Sequence, residues 1–404
     1  MKGGKILMKF FTKKSFAFLM AILMMFTLVA CGGDKKEATG KPVENGELVI
    51  GVTSFADTLE PTEQYFSWVI TRYGVGENLV RFDEHGELQP MLAESWQISD
   101  DKLTWEFKIR KDVKFSNGNP LTAEAVKSSF DRTFRKSKRA EGFFKPVSIV
   151  AEGDTLKITT DKPVAILPQC LADPLFLIID TSDNVEEYTT NAPICTGPYV
   201  FKEFVPTEYA IVERNPNYWN GTPALAKVTF KCINDQSTRA LSLKTGEIGV
   251  AYNLKIENKA DFEGEKNINV QELKSLRSTY AFMNQNGVLK DLALRQALLR
   301  GLDKKAYVEN LLGGAATAGK APIPPTLDFG FDQLKDENAY NPESAKEILA
   351  KAGYKDIDGD GFVETPDGKK LDLNFVIYTS REELKVYAQA AQSNLKDIGI
   401  KMTL

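Results

Sequence analysis

Asp356, Asp358, Asp360, Glu364 and Asp367 fall within one stretch, Asp356-Ile357-Asp358-Gly359-Asp360-Gly361-Phe362-Val363-Glu364-Thr365-Pro366-Asp367. Acids at the first, third and fifth positions and Gly at the sixth follow the rule of a calcium loop, in which carboxylate oxygens surround a hard cation. The twelfth position is Asp367 rather than Glu, which shortens the reach needed for bidentate coordination. A bound calcium would be structural, and no other cofactor is expected. A solvated acidic turn between a helix and a strand is the competing reading. The chain has a single histidine, His85, in the turn-like run Asp83-Glu84-His85-Gly86. A Ser-His-Asp triad would have to use it, and neither a zinc-protease spacing nor a phosphate-binding glycine loop appears. No catalytic residue is nominated, and the chain reads as a non-enzyme. Of four cysteines, Cys170, Cys195 and Cys232 lie in the body, at spacings unlike a zinc site. Export would permit one bridge, for which Cys170 and Cys195 are the preferred pair, but an odd count leaves one thiol over, and three free buried thiols is the expected state.

A chain of 404 residues with 43% hydrophobic and 26% charged residues can bury a sizeable core and form more than one domain. The first thirty residues carry five lysines, Lys2, Lys5, Lys9, Lys13 and Lys14, and no acid. Without them 46 basic residues face 55 acidic ones, so the body has no electrostatic footprint for nucleic acid. These lysines precede an apolar run from Phe16 to Ala30, too short for a comfortable membrane span, which ends in Leu28-Val29-Ala30-Cys31. That ending resembles a bacterial lipobox. The resemblance implies a signal peptide over 1–30, a lipid-modified Cys31 held in the bilayer, and a flexible tether over 31–46; an uncleaved anchor with a chance Cys31 is the competing reading. The body is expected outside the cytoplasm, anchored to the cell membrane.

The elements that must position any site begin with residues 88–134. Trp105, Phe107 and Ile109 alternate with Glu106, Lys108 and Arg110, the period of a half-buried strand. Ser116-Asn117-Gly118-Asn119-Pro120 is a turn, and Thr122 caps a helix with Ala123, Val126, Phe130 and Phe134 on one face. Leu48 to Thr53 reads as a strand; Tyr65, Phe66, Trp68, Val69 and Tyr73 suggest an aromatic helix, whose cluster can equally be core. Ser148 to Thr160 reads as a hairpin, Phe201 to Arg214 and Lys227 to Ile233 as strands, and Arg239 to Thr245 as a helix stopped by Gly246. Ser278 to Met283 and 371–377 read as strands, Asp291 to Arg300 and Asp303 to Leu312 as helices. Asn341-Pro342 opens another helix that Gly353 closes, and 384–398 forms a last one before a strand from Ile400.

Several spaced motifs resemble family 5 of the bacterial extracellular solute-binding proteins, the oligopeptide, dipeptide and nickel-chelate receptors of ABC importers. They are Leu92-Ala93-x-Ser95-Trp96, Thr104-Trp105-x-Phe107-x-Ile109-Arg110, Phe115-Ser116-Asn117-Gly118, Thr196-Gly197-Pro198-Tyr199, Arg214-Asn215-Pro216-x-Tyr218-Trp219 and Arg239-Ala240-Leu241-x-x-x-x-Gly246-Glu247-Ile248. The resemblance implies an α/β, type II periplasmic-binding-protein-like fold with mixed sheets in two lobes, 47–272 and 273–404, hinged near Glu272 to Ser275. It implies a monomer that captures a peptide and passes it to a membrane permease. Phe55 and Trp68 border the expected ligand cleft, and Arg139, Arg277, Tyr280 and Asn284 are further pocket candidates. Arg139 lies where the nickel-chelate branch uses a basic side chain for carboxylates, a task that suits a guanidinium fork. The same branch tends to place arginine where Asp173 stands, so this departure favours a ligand with an ammonium group. Two rival readings stay open: a nickel or metallophore receptor, and a remnant that binds nothing. Family members are longer, and an α/β lobe is not expected to finish on an uncovered strand. The second lobe is therefore expected to be incomplete and to expose apolar surface.

Overall fold

The computed structural model describes residues 45–53, 56–189, 191–327, 329–378 and 381–404. Phe55, Cys31, the signal peptide and nearly all of the tether lie outside the described residues. The described chain packs as two compact units, one of residues 45–48 and 56–229, the other of 49–53 and 230–404.

The chain enters on β1 (Gly46–Val52). In the first unit α1 (Phe66–Arg72) follows, then an antiparallel pair, β2 (Val80–Phe82) and β3 (Leu88–Pro90). The main sheet of this unit comprises β4 (Ala93–Ile98), β5 (Thr104–Ile109), β6 (Pro146–Glu152) and β7 (Thr155–Thr160), antiparallel in the order β4-β5-β7-β6. Its register follows the side-chain alternation: Phe107 stands opposite Leu156 and Trp105 opposite Ile158, which puts the apolar residues of each strand on one face. Against β6 and β7 lies α2 (Ala123–Lys136). Thr122 Oγ1 accepts the Ala125 N–H at 3.1 Å, the expected cap, and Val126 and Phe130 are fully buried beneath the helix. Gly118 at φ 92° and Gly153 at φ 62° make the two turns that the sequence placed there. A short α3 (Ala140–Phe143) and one 3-10 turn, Pro174–Phe176, complete this packing around Phe176. Strands β8 (Tyr199–Val205) and β9 (Tyr209–Arg214) form an antiparallel hairpin, and β10 (Leu225–Cys232) follows.

Two buried glutamates tie distant loops of this unit together. Glu60 meets Arg132 of α2 in a two-pronged pair, at 2.9 Å and 2.7 Å, with 2% and 5% of the side chains exposed. Burial pushes the Glu60 carboxyl up, but the hydrogen bonds from Arg132 and Thr62 and the Arg132 charge outweigh it and hold the group below its ordinary value. Glu77 accepts hydrogen bonds from Thr196 (2.7 Å), Trp219 Nε1 (3.0 Å) and the Tyr218 hydroxyl (3.3 Å). Here burial dominates, and those bonds with the nearby Arg110 charge do not cancel it, so the carboxyl lies above its ordinary value. The Thr196-Gly197-Pro198-Tyr199 motif needs its glycine for space: a Cβ at Gly197 would stand 2.5 Å from the carbonyl oxygens of Gly74 and Val75.

In the second unit α4 (Gln236–Lys244) starts from Asp235, which accepts the Thr238 N–H at 2.7 Å, and Gly246 follows it at φ 77°. β11 (Val250–Ala251) runs parallel to β1, with Val250 opposite Ile50. A separate core gathers Leu294, Ala297 and Leu298 of α5 (Leu292–Gly301), Ala345 and Leu349 of α6 (Pro342–Lys351), and Leu395 of α7 (Glu382–Asp397). Asn341 caps α6 by accepting the Ser344 N–H at 2.9 Å, as its Asn-Pro start predicts. Between α6 and the chain's last residues, β12 (Asp372–Asn374) pairs in parallel with β13 (Lys401–Thr403). Parallel and antiparallel pairings thus both occur, in keeping with the mixed α/β fold expected.

Two sequence expectations need correction. Residues 278–283 form no strand; their alternation supplies an apolar face but no partner whose backbone pairs with them among the described residues. The helix expected over 303–312 is a three-residue α turn, Lys304–Ala306, followed by a π turn, Tyr307–Leu311. Cys170, Cys195 and Cys232 are free thiols, as the odd count led one to expect; the first two are buried and Cys232 is half-buried.

Candidate functional site

The first unit brings two of the sequence candidates, Trp68 and Arg139, onto one surface. Tyr65 precedes α1 and Trp68 lies one turn on, so their rings meet edge to face at 6.3 Å. The Arg72 guanidinium lies 5.1 Å from the Trp68 ring centre. Arg139 precedes α3 and lays its guanidinium over the Tyr65 ring at 4.2 Å. Arg139 Nη1 also donates to the Gln64 carbonyl, and Gln64 itself holds φ at 41°, a left-handed conformation costly for a residue with a side chain. The Asp173 carboxylate stands 4.0 Å from Arg139 Nη2, with 30% of the Arg139 side chain and 17% of the Asp173 side chain exposed.

Packing beneath fixes these groups. Phe143 and Phe144, just after Arg139, meet Phe176, just after Asp173, at ring separations of 5.4 Å each. Phe176 is fully buried, so the two segments share one aromatic anchor. Asp173 Oδ1 accepts the Leu175 N–H at 2.9 Å and caps its turn. Asn78, buried, donates its amide hydrogens to the carbonyls of Leu171 (2.9 Å) and Asp173 (2.8 Å) and so fixes the backbone of that loop. One donor at the platform is unmatched: Trp68 Nε1 is buried and meets no acceptor among the described residues. Such an N–H costs free energy until an acceptor reaches it.

Arg277, Tyr280 and Asn284 lie in the second unit on an exposed stretch without regular structure. Tyr280 packs edge to face on Phe282 at 5.2 Å, with 58% and 89% of those residues exposed. Asn284 Oδ1 accepts the N–H of Asn286 at 3.0 Å, and the Arg277 N–H donates to Ser275 Oγ at 3.2 Å, both local turn contacts. Leu273 and Leu276 of the same stretch are also exposed, as are Val376 and Tyr378.

Among the acids of the 356–367 loop, one oxygen each of Asp356, Asp358 and Glu364 lie within 4.8 Å of one another, and these three could share a cation. Asp356 accepts the N–H groups of Gly359 (2.7 Å) and Gly361 (3.0 Å), the turn that the glycines at φ 78° and 91° allow. Lys370 lies 2.8 Å from Asp358 and 3.1 Å from Asp360, and Asp367 pairs with Lys369 at 2.7 Å. Two of the five acids therefore stand outside the convergent group. His85 occupies an exposed turn, as the sequence suggested, with its N–H donating to Asp83 at 2.9 Å.

Tyr65, Gln64 and Asn78 were not nominated from the sequence. Tyr65 carried a usable signal, lying three residues before Trp68 on a helical spacing. Gln64 and Asn78 carried none, since their roles depend on contacts with residues far along the chain.

Comparison with known proteins gives a consistent result. The sequence profile of bacterial extracellular solute-binding proteins, family 5 Middle, matches residues 87–404. The nickel-binding periplasmic protein of Escherichia coli K12 is 32% identical over 393 residues, covering 94% of this chain and 74% of that protein. NikA from Brucella suis in complex with Fe(III)-EDTA superposes with a TM-score of 0.79 at 28% identity, covering 89% of this chain and 74% of that one. The oligopeptide-binding protein AppA from Bacillus subtilis, in complex with a nonapeptide, gives a TM-score of 0.76 at 26% identity, covering 90% and 75%.

Proposed function

The chain belongs to family 5 of the bacterial extracellular solute-binding proteins, and from that premise we propose that it is the receptor of an ABC importer, taking an oligo- or dipeptide. Members of this family bind and deliver; the protein is not an enzyme. The observation that carries the peptide reading is the platform on the first unit, where the Arg139 guanidinium over Tyr65 stands beside Asp173. It offers a cation for a carboxylate and an anion for an ammonium group.

Nickel chelates are the second reading, supported by the 32% identity to a nickel-binding protein. The carboxylate of Asp173 close to Arg139 weighs against a ligand that is anionic throughout. Melting the protein with a defined peptide pool, and separately with nickel chelates, tests the choice. A ligand at a hundred times its Kd adds about 2.7 kcal/mol of stability, a readily measured rise in Tm. A rise with peptides alone supports the first reading, and a rise with chelates alone supports the second.

The reading extends to the cell. The protein acts outside the cytoplasm as a monomer, held to the bilayer through an acylated Cys31, and hands its cargo to a membrane permease. Among the described residues no helix is long and apolar enough to cross a membrane. Labelling cells with a fatty acid tests the anchor: the label is expected on the native protein and absent from Cys31→Ser.

A further inference from the structure

We infer that Asp173 selects the charge class of the solute, admitting a zwitterionic head in which ammonium and carboxylate lie close together and turning away polyanionic chelates. The inference rests on the receptor reading above and deepens it. Asp173 and Arg139 are 4.0 Å apart, beyond a hydrogen bond, so neither group saturates the other. Asp173 meets both Arg139 and the Leu175 N–H through Oδ1. Arg139 commits Nη1 to the Gln64 carbonyl and its face to Tyr65, while Nη2 is directed at the Asp173 side. The pair therefore presents one positive and one negative group at a separation suited to an amino-acid head.

Selection requires that the acid stay where it is. Its backbone carbonyl takes an amide hydrogen of buried Asn78, its Oδ1 caps the Pro174–Phe176 turn, and Phe176 is fully buried beneath. An Asp held this way cannot swing aside for a ligand carrying only carboxylates. A polyanion seated on Arg139 would meet a fixed like charge, and specificity would come from that repulsion as much as from attraction. Arg72, stacked on Trp68, is a further charged group of the platform.

Calorimetric titration of the whole chain with trialanine and with Fe(III)-EDTA tests the assignment. Wild type is expected to favour trialanine, Asp173→Asn to narrow the ratio on the order of tenfold, and Asp173→Arg to reverse it. Asn can still cap the Leu175 N–H, so Asp173→Asn is expected to melt near wild type. A merely structural role would weaken both probes together and leave the ratio unmoved. Binding of either probe with a ratio that neither substitution shifts overturns the assignment while the receptor reading stands. So does a wild-type preference for Fe(III)-EDTA. Failure of both probes to bind wild type overturns the receptor reading, and the assignment with it.

Discussion

Trp68 and Arg139 stand on a buried frame; Arg277, Tyr280 and Asn284 stand along an exposed thread. Both groups came from the same resemblance, yet their surroundings differ. Around Arg139 the chain supplies an aromatic partner, a carbonyl, a fixed acid and, beneath these, the Phe143–Phe144–Phe176 stack. Around Tyr280 it supplies one exposed ring, that of Phe282. A binding residue does its work only when its rotamer is already chosen, because ordering a free side chain costs free energy that the contact must first offset. Of these candidates, Trp68 and Arg139 in the first unit are the preorganised ones.

The largest test removes the frame. Glu60→Ala leaves the Arg132 guanidinium buried without its carboxylate, and loss of one partner of a buried pair costs about 3–5 kcal/mol. Urea unfolding should show that loss. A change no greater than that of a surface substitution would mean that the Glu60–Arg132 pair does not hold the unit together.

Next in size, Arg139→Ala should weaken trialanine binding on the order of tenfold to a hundredfold, the range of a charge-assisted hydrogen bond. Calorimetry reads it directly. Tyr65→Ala should cost less, on the order of fivefold, because a partly exposed cation–π contact contributes about 1 kcal/mol.

A third test separates the two glutamates by pH. The Glu60 carboxyl, held below its ordinary 4.5, contributes stability that is present above that value and is lost as pH falls through the lowered one. The Glu77 carboxyl, raised above 4.5, contributes in the opposite sense: its share is present below that value and is lost as pH rises through the raised one. Glu77→Gln keeps the shape and an acceptor for Trp219. Its stability relative to wild type should therefore improve from pH 4.5 to pH 7, as urea melts at both values would show. No change in that difference would contradict the raised carboxyl.

The smallest effect is expected from the exposed thread. Arg277→Ala, Tyr280→Ala and Asn284→Ala should each alter the stability of the chain by no more than about 0.5 kcal/mol. A larger loss would show that this stretch is held more firmly than its exposure indicates.

The sequence disclosed what local chemistry controls. Thr122, Asn341, Gly118 and Gly246 act within a few residues of themselves, so the caps and turns they mark are present. The β5 alternation was legible because burial on one face imposes a period of two. The Tyr65–Arg139 stack and the grip of Asn78 on the Leu171–Asp173 loop were not, since each joins residues more than seventy positions apart. The run from Ser278 to Met283 misled for a related reason: alternation describes a face, whereas a strand also needs a neighbour to pair with. The acidic loop was legible as a turn, but the calcium pattern does not tell which acids converge: Asp356, Asp358 and Glu364 do, although Asp358 also pairs with Lys370.

The most direct test of the central claim is capture. The chain is incubated with a defined oligopeptide pool, freed of unbound material, and its retained cargo identified by mass spectrometry. Peptides of unchanged mass should be recovered from wild type and largely lost from Arg139→Ala. Equal recovery from both proteins, cleaved products, or an empty wild type would contradict the claim.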